Sequence, residues 1–171
     1  MVSYQNTLEM PEPDIAIVGA GIVGLWTAHY AAQSGANIVL IDQNKLGSGA
    51  SNGLLGALMP HQPINWNDKK QFQFDGLTTL PEEIAKLEKR TGIGSGYFRC
   101  GRIMPIAHPE KRRQSKSWAQ GAKEHWSSSF DWRVEDENPA EHWLSDIGPH
   151  GYNIDTLSAR VNPRALVRAL I

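Results

Sequence analysis

The sequence predicts an α/β fold. Two short apolar runs, Ile15 to Val18 and Ile38 to Ile41, have the composition of buried parallel strands. Between them lies a helical run whose first turn carries Gly19, Gly21 and Gly24 in G-x-G-x-x-G spacing and whose end is marked by Gly35. Strand, crossover helix and strand make a βαβ unit. Gly19 permits the tight turn out of the strand, Gly21 lets a pyrophosphate approach the backbone, and Gly24 lets the helix pack closely on the strand. The helix then aims its free first-turn N–H groups and positive dipole end at the phosphate. Asp42 ends the second strand, where an acid takes a ribose hydroxyl. The unit reads as dinucleotide-binding; the alternative is the same unit with a merely glycine-rich turn.

Composition bounds the rest. A chain of 171 residues, 40% hydrophobic, is long enough for one domain with a core. A net charge of −1 gives no reason to expect nucleic acid or an anionic membrane as partner. The single cysteine, Cys100, excludes an internal disulfide and fits a reducing compartment, so the expected location is cytoplasmic. Apolar stretches are far short of a transmembrane segment. The scattered histidines match no metal motif, so no metal site is expected.

In chain order, residues 1–13 read as a flexible leader, kept irregular by Pro11 and Pro13. The first strand spans about Asp14 to Val18, the helix Ile22 to Ser34, and the second strand Asn37 to Ile41, with Ala28 a second small residue on the helix face towards the sheet. Lys45 to Pro63 is rich in Gly, Ala and Ser. Its small residues allow backbone N–H groups to meet a ligand, and Ser51 and Asn52 can donate to a phosphate or cap a short helix. A flexible loop with one helical turn is the plainer reading.

The G-x-G-x-x-G stretch, Asp42 and the following Gly-Ser-Gly-Ala-Ser-x-x-x-x-Gly segment together resemble the flavin-dependent D-amino-acid oxidase superfamily, in its glycine oxidase and amino-acid dehydrogenase branch. The resemblance implies a Rossmann-like FAD-binding unit, followed by the beginning of an α+β substrate domain. It implies that Gly19, Ala20, Gly21, Ile22, Val23 and Gly24 face the pyrophosphate of FAD. Asp42 and Gln43 would then hold the adenosine ribose and its surroundings. Ala50, Ser51, Leu55, Gly56 and Ala57 match the second cofactor segment, with Met59 and His61 beyond it towards the flavin. His61 is the histidine best placed for chemistry; the plainer role is polar lining. Family members often carry Glu at the place of Asp42 and a basic residue at the place of Gln43, departures that could reshape adenosine binding. A nicotinamide-binding chain would continue into further βαβ repeats, which this chain lacks.

Beyond the cofactor segment, residues 64–73 read as a loop. Leu77, Leu80, Ile84 and Leu87 mark one face of a helix that stops at Thr91-Gly92. Thr79 and Glu82 have capping-box spacing around Pro81; the other reading is one longer helix from near Gln71, kinked at Pro81. Gly96 to Ile106 reads as one strand or two short ones, with Arg99 and Arg102 able to bind a carboxylate or to serve as ordinary strand-face arginines, and Cys100 as a small buried residue. Glu110 to Trp126 reads as an amphipathic helix, with Trp118, Ala119, Ala122 and Trp126 on its apolar side. Trp132, Trp143 and the acidic run from Glu135 to Glu137 fall in a stretch read as irregular. Asn162-Pro163 starts a last helix faced by Ala165, Leu166, Ala169 and Leu170.

The expected organisation is therefore an FAD-binding portion at 14–92, part of a substrate domain at 93–155, and a helix at 156–171 returning to the first portion. The resemblance implies the N-terminal part of an FAD-dependent oxidoreductase acting on a small-molecule amine or amino acid. The rival is a non-catalytic FAD-binding fragment, or one subunit of a split flavoprotein with a partner chain. An incomplete sheet would leave an open edge and an apolar face, and self-association would follow.

Overall fold

The computed structural model describes residues 12–171. Residues 1–11 of the expected leader lie outside them; Glu12 and Pro13 are exposed and irregular.

The chain opens with β1 (Ile15–Val18), α1 (Ile22–Gln33) and β2 (Ile38–Ile41), and the two strands pair in parallel with Ile15 opposite Ile38. Helix α1 ends where expected, with Gly35 at a φ of 86°. The strands are less buried than their composition predicts. In β1 only Ile17 is buried, while Val18 is 83% exposed, and Val39 and Ile41 of β2 are also open. Helix α1 covers one face of this two-stranded sheet, and among the described residues the other face, carrying Ala16, Val18, Val39 and Ile41, stays open to solvent.

A 3-10 turn at Ala50–Asn52 interrupts the small-residue segment, which then forms β3 (Gly56–Leu58). Helix α2 follows at Asp68–Thr91. It is one continuous helix with Pro81 inside it, so the capping-box reading is corrected and the loop expected over 64–73 ends at Asn67. The Asn67 side chain caps the helix by accepting from Lys70 N–H at 3.2 Å. Thr79 does not cap; its hydroxyl bonds back to Asp75 O at 2.8 Å. Proline has no N–H, so the Leu77 carbonyl four residues earlier lacks its helical donor. The Arg99 guanidinium supplies one, with Nη2 2.6 Å from Leu77 O, and Nη1 donates to Leu157 O.

The remaining elements are β4 (Arg102–Pro105), α3 (Pro109–His125), β5 (Trp132–Glu135), β6 (Tyr152–Asp155), β7 (Ala159–Val161) and α4 (Pro163–Leu170). Strands β4, β6 and β5 form an antiparallel sheet in that order, and β7 pairs antiparallel with β3. Trp132 therefore belongs to a strand, not to an irregular stretch. It is buried beside Arg102 and Asp155, and its indole N–H donates to Asn153 Oδ1 at 3.2 Å. Cys100 corrects another expectation: it is exposed. It precedes Gly101, whose φ of 68° and tight approach to Asp155 O turn the chain into β4.

Two cores result, and α2 crosses both. Leu77 joins Ala122 of α3, Trp126 at its C-cap, Trp132 and Leu157. Ile84 and Leu87, about two and three turns along, join Val161, Leu166 and Ala169, with Ile22 and Trp26 of α1 at the margin. The predicted leucine stripe is thus core packing. Gly121 lets the preceding loop lie directly on α3, because a Cβ there would stand 1.6 Å from Pro63 O. At α4, Asn162 caps as the sequence predicts, accepting from Ala165 N–H at 3.2 Å.

Candidate cofactor site

The loop between β1 and α1 is held from three sides. Gly19 leaves the strand with a φ of 101°, and its N–H donates to Ile41 O at 2.7 Å. A glycine is required there because a positive φ strains any residue with a Cβ. Ala20 is fully buried; its N–H donates to Asp42 Oδ2 at 2.7 Å, and its carbonyl accepts from Gly47 N–H at 2.8 Å. Gly24 is required for a different reason: a Cβ would stand 1.8 Å from Gly19 O. Strand β1 and helix α1 meet at this point with no room for a methyl group.

Gly21 is the N-cap of α1 and has no side chain to cap with. Ser51 does it from the second glycine-rich segment, with Oγ accepting from Ile22 N–H at 2.9 Å. This long-range cap leaves the serine O–H proton free to point outward. Val23 and Gly24 sit in the first turn, where helix geometry provides their N–H groups with no intrahelical acceptor. The N-terminus of α1 thus combines a dipole end, first-turn donors and a hydroxyl, which suits an anion.

The Asp42 carboxylate accepts two backbone N–H groups, from Ala20 and, at 2.7 Å, from Asn44. The Ala20 bond first, and the Asn44 bond second, hold its carboxyl below the usual carboxylate range. It is an anion at neutral pH. Beside it, Val18, Gly19, Ile41, Asp42 and Gln43 line a cleft of about 410 Å³. An anion here is suited to accept from a hydroxyl and to repel a phosphate.

The structure therefore brings Gly19, Ala20, Gly21, Ile22, Gly24, Asp42 and Ser51 into one bonded cluster, with Gln43 on the adjoining cleft. Ala50 begins the 3-10 turn next to Ser51. Val23, Leu55 and Ala57 are exposed. Gly56 serves packing, because a Cβ would stand 2.6 Å from Val161 Cγ1. The His61 backbone N–H donates to Gln73 Oε1 of α2 at 2.7 Å. Arg99 is spent on the Leu77 and Leu157 carbonyls, whereas Arg102 pairs with Asp155 through Nε at 2.9 Å and its buried Nη2 has no hydrogen-bond partner among the described residues.

Gly47 opens the Gly-Ser-Gly-Ala-Ser segment, but no contact of its own was legible in the sequence. It has a φ of 67°, holds Ala20 O, and a Cβ would meet Val167 Cγ1 at 2.6 Å. Helix α4 closes on the loop through this gap. Among the described residues there is no cluster able to hold a metal ion, and no helix is long and apolar enough to cross a membrane.

Fold and site together define an α/β protein with a dinucleotide-type βαβ unit. Residues 14–171 match the FAD dependent oxidoreductase family of D-amino-acid oxidase type, and the chain belongs to that family. It is 31% identical over 158 residues to the uncharacterized oxidoreductase YurR of Bacillus subtilis, covering 91% of this chain and 42% of that protein. It is 27% identical to the bifunctional protein ThiO/ThiG of Nostoc sp., covering 92% of this chain and 24% of that one. In fold it is similar to glycine oxidase from Geobacillus kaustophilus, with a TM-score of 0.80 at 20% identity, covering 92% of this chain and 43% of that one. The chain thus spans less than half the length of these relatives.

Proposed function

We propose that this chain holds the ADP half of FAD and contributes the N-terminal part of an enzyme that oxidises an amino acid or another small amine. The observation that carries the proposal is the bonded cluster of the Gly19–Gly24 loop, Asp42 and Ser51. In this reading the α1 N-terminus and the Ser51 hydroxyl hold the diphosphate, and Gly21 keeps its approach open. Asp42 and Gln43 hold the adenosine ribose. Ala50, Leu55 and Ala57 line the path towards the flavin, with Val23 on the loop side. Bound FAD would supply the redox chemistry, as the acceptor at flavin N5 of a hydride from the substrate α-carbon; the amine nitrogen would lose a proton and water would hydrolyse the resulting imine. The name of the similar structure, glycine oxidase, supports an amino-acid substrate.

The proposed division is an FAD-binding portion at 14–92, part of a substrate domain at 93–155, and a returning helix. The β3–β7 pairing and the closure of α4 on Gly47 support it. A second reading, FAD binding without turnover by this chain alone, is favoured by one observation. Arg99, just before β4, is consumed by the Leu77 and Leu157 carbonyls.

Titration of the purified chain with FAD, followed by flavin fluorescence and absorbance, tests the proposal. Saturable binding that Asp42→Ala and Ser51→Ala weaken is the expected result, and no binding of FAD overturns it. Addition of amino acids then separates the two readings. Bleaching of the flavin band supports turnover; binding without bleaching supports the second reading.

A further inference from the structure

We infer that a cleft between the second glycine-rich segment and α4 is an anion site, and that it takes a phosphoryl group. The cleft holds about 320 Å³, and its polar lining is Lys45, Ser48, Ser51, Asn52, Arg164 and Arg168. No acid lines it among the described residues. The volume lies at the small end of the ~300–1,000 Å³ usual for ligand clefts.

The fold assembles this cleft from two distant stretches. On one side the segment is tied to the glycine loop, through Gly47 N–H on Ala20 O and Ser51 Oγ on Ile22 N–H. On the other side α4 closes on Gly47 through Val167, and Arg164 and Arg168, one turn apart on that helix, come to the rim. Arg164 Nε donates to Asn52 O at 2.9 Å, across 112 residues of sequence. That bond sets the plane of the guanidinium and directs its Nη groups to a ligand.

The charges are not neutralised within the fold. Arg102, Arg112, Arg113 and Arg133 each face an acid, but among the described residues Lys45, Arg164 and Arg168 join no ion pair. Exposed unpaired cations are ordinarily a solvated face. Here three of them share one concavity on a chain of net charge −1. Like charges repel there, and a bound anion replaces repulsion by attraction. Charge also selects the ligand class. A carboxylate brings one negative charge, whereas a phosphoryl group brings about −1.5 to −2 at pH 7 with three acceptor oxygens. Arginine forks grip such oxygens, lysine adds a point charge, and the Ser48 hydroxyl is a further donor. A nucleic-acid strand needs a basic groove that continues along its backbone, and this cleft holds a single group. Ser51 lines the cleft and also caps α1, so the site adjoins the proposed diphosphate site. The phosphoryl group belongs either to the FAD diphosphate or to a separate small molecule, and the recognition chemistry is the same.

Titration of the isotope-labelled 171-residue chain with inorganic phosphate, followed by NMR, tests the site. Saturable amide shifts are expected at Gly47, Ser48 and Arg168, and sodium chloride at the same ionic strength should not reproduce them. Lys45→Gln and Arg168→Gln should each weaken phosphate about two- to fivefold. Arg168→Lys should keep most of the affinity, and Lys116→Gln on α3 should leave it unchanged. FAD is then added to the phosphate-loaded chain. Loss of the phosphate shifts assigns the cleft to the FAD diphosphate; phosphate bound beside FAD, or bound by a chain that takes no FAD, assigns it to a separate phosphoryl compound. Each of these supports the site, and the last overturns only the FAD reading. No saturable shift, shifts confined to Gly21–Gly24, equal shifts with chloride, or an unchanged affinity in both Lys45→Gln and Arg168→Gln overturns the site.

Discussion

Replacing Gly24 by alanine tests the reasoning at the point where strand and helix meet. The added Cβ would stand 1.8 Å from Gly19 O and 3.0 Å from Gly19 C, both backbone atoms. Backbone cannot rotate away as a side chain can, so the first turn of α1 must retreat by roughly 1 Å or more, an overpacking that typically costs about 1–3 kcal/mol. Against this stands the gain of alanine over glycine inside a helix, about 0.5–1 kcal/mol. Gly76 isolates that gain. It lies within α2, and a Cβ there would meet nothing within 4 Å. Gly76→Ala should therefore raise stability by about 0.5–1 kcal/mol, while Gly24→Ala should lower it by about 1–2 kcal/mol. Urea denaturation of the two variants and the wild type reads this directly, with the slope m required to stay constant. Gly24→Ala as stable as Gly76→Ala would refute the close contact. Because the same turn presents the proposed diphosphate donors, FAD affinity should also fall in Gly24→Ala and hold in Gly76→Ala.

The remaining expectations concern polar groups. Arg99→Met strands the Leu77 and Leu157 carbonyls and should cost about 1–3 kcal/mol for each one left unsatisfied. Pro81→Ala restores an N–H for Leu77 O, so it should recover part of that loss, and additivity in a double-mutant cycle would contradict the assignment. Arg102→Met leaves the fully buried Asp155 without its ion partner and should destabilise by about 3–5 kcal/mol in denaturant unfolding, with Arg102→Met/Asp155→Asn recovering much of it. Asp42 has a folded value below its unfolded one, so its contribution is present above about pH 4 and is lost as pH falls through the lower folded value. Asp42→Asn should flatten that acid limb, and an unchanged acid midpoint would count against the Ala20 and Asn44 bonds.

The βαβ unit was legible because its signals are local. Apolar runs, glycine spacing and Asp42 lie within one stretch, and each answers a backbone or packing requirement that a residue type alone can meet. The Asn162 cap and the leucine stripe of α2 were legible for the same reason. Helix α2 itself was legible only as one of two readings. Pro81 argues for a break, and only the tertiary structure brings Arg99, distant in sequence, to the carbonyl that proline leaves free. β3, β5, β6 and β7 were missed. Gly-Ala-Leu has little strand propensity of its own, and Tyr152–Asp155 becomes a strand by lying between two partners.

The site divides in the same way. By itself the sequence determined that a glycine loop, an acid and a small-residue segment follow one another in an order suited to FAD. Only the tertiary structure decided that Ser51 caps α1 in place of Gly21, that Asp42 grips Ala20, and that Gly47 admits α4. It also decided that Arg99 serves the fold and that Arg102 pairs with Asp155. The physical reason is that a hydrogen-bonding group is valued by its partner. The partner of each of these groups is set by how distant segments pack.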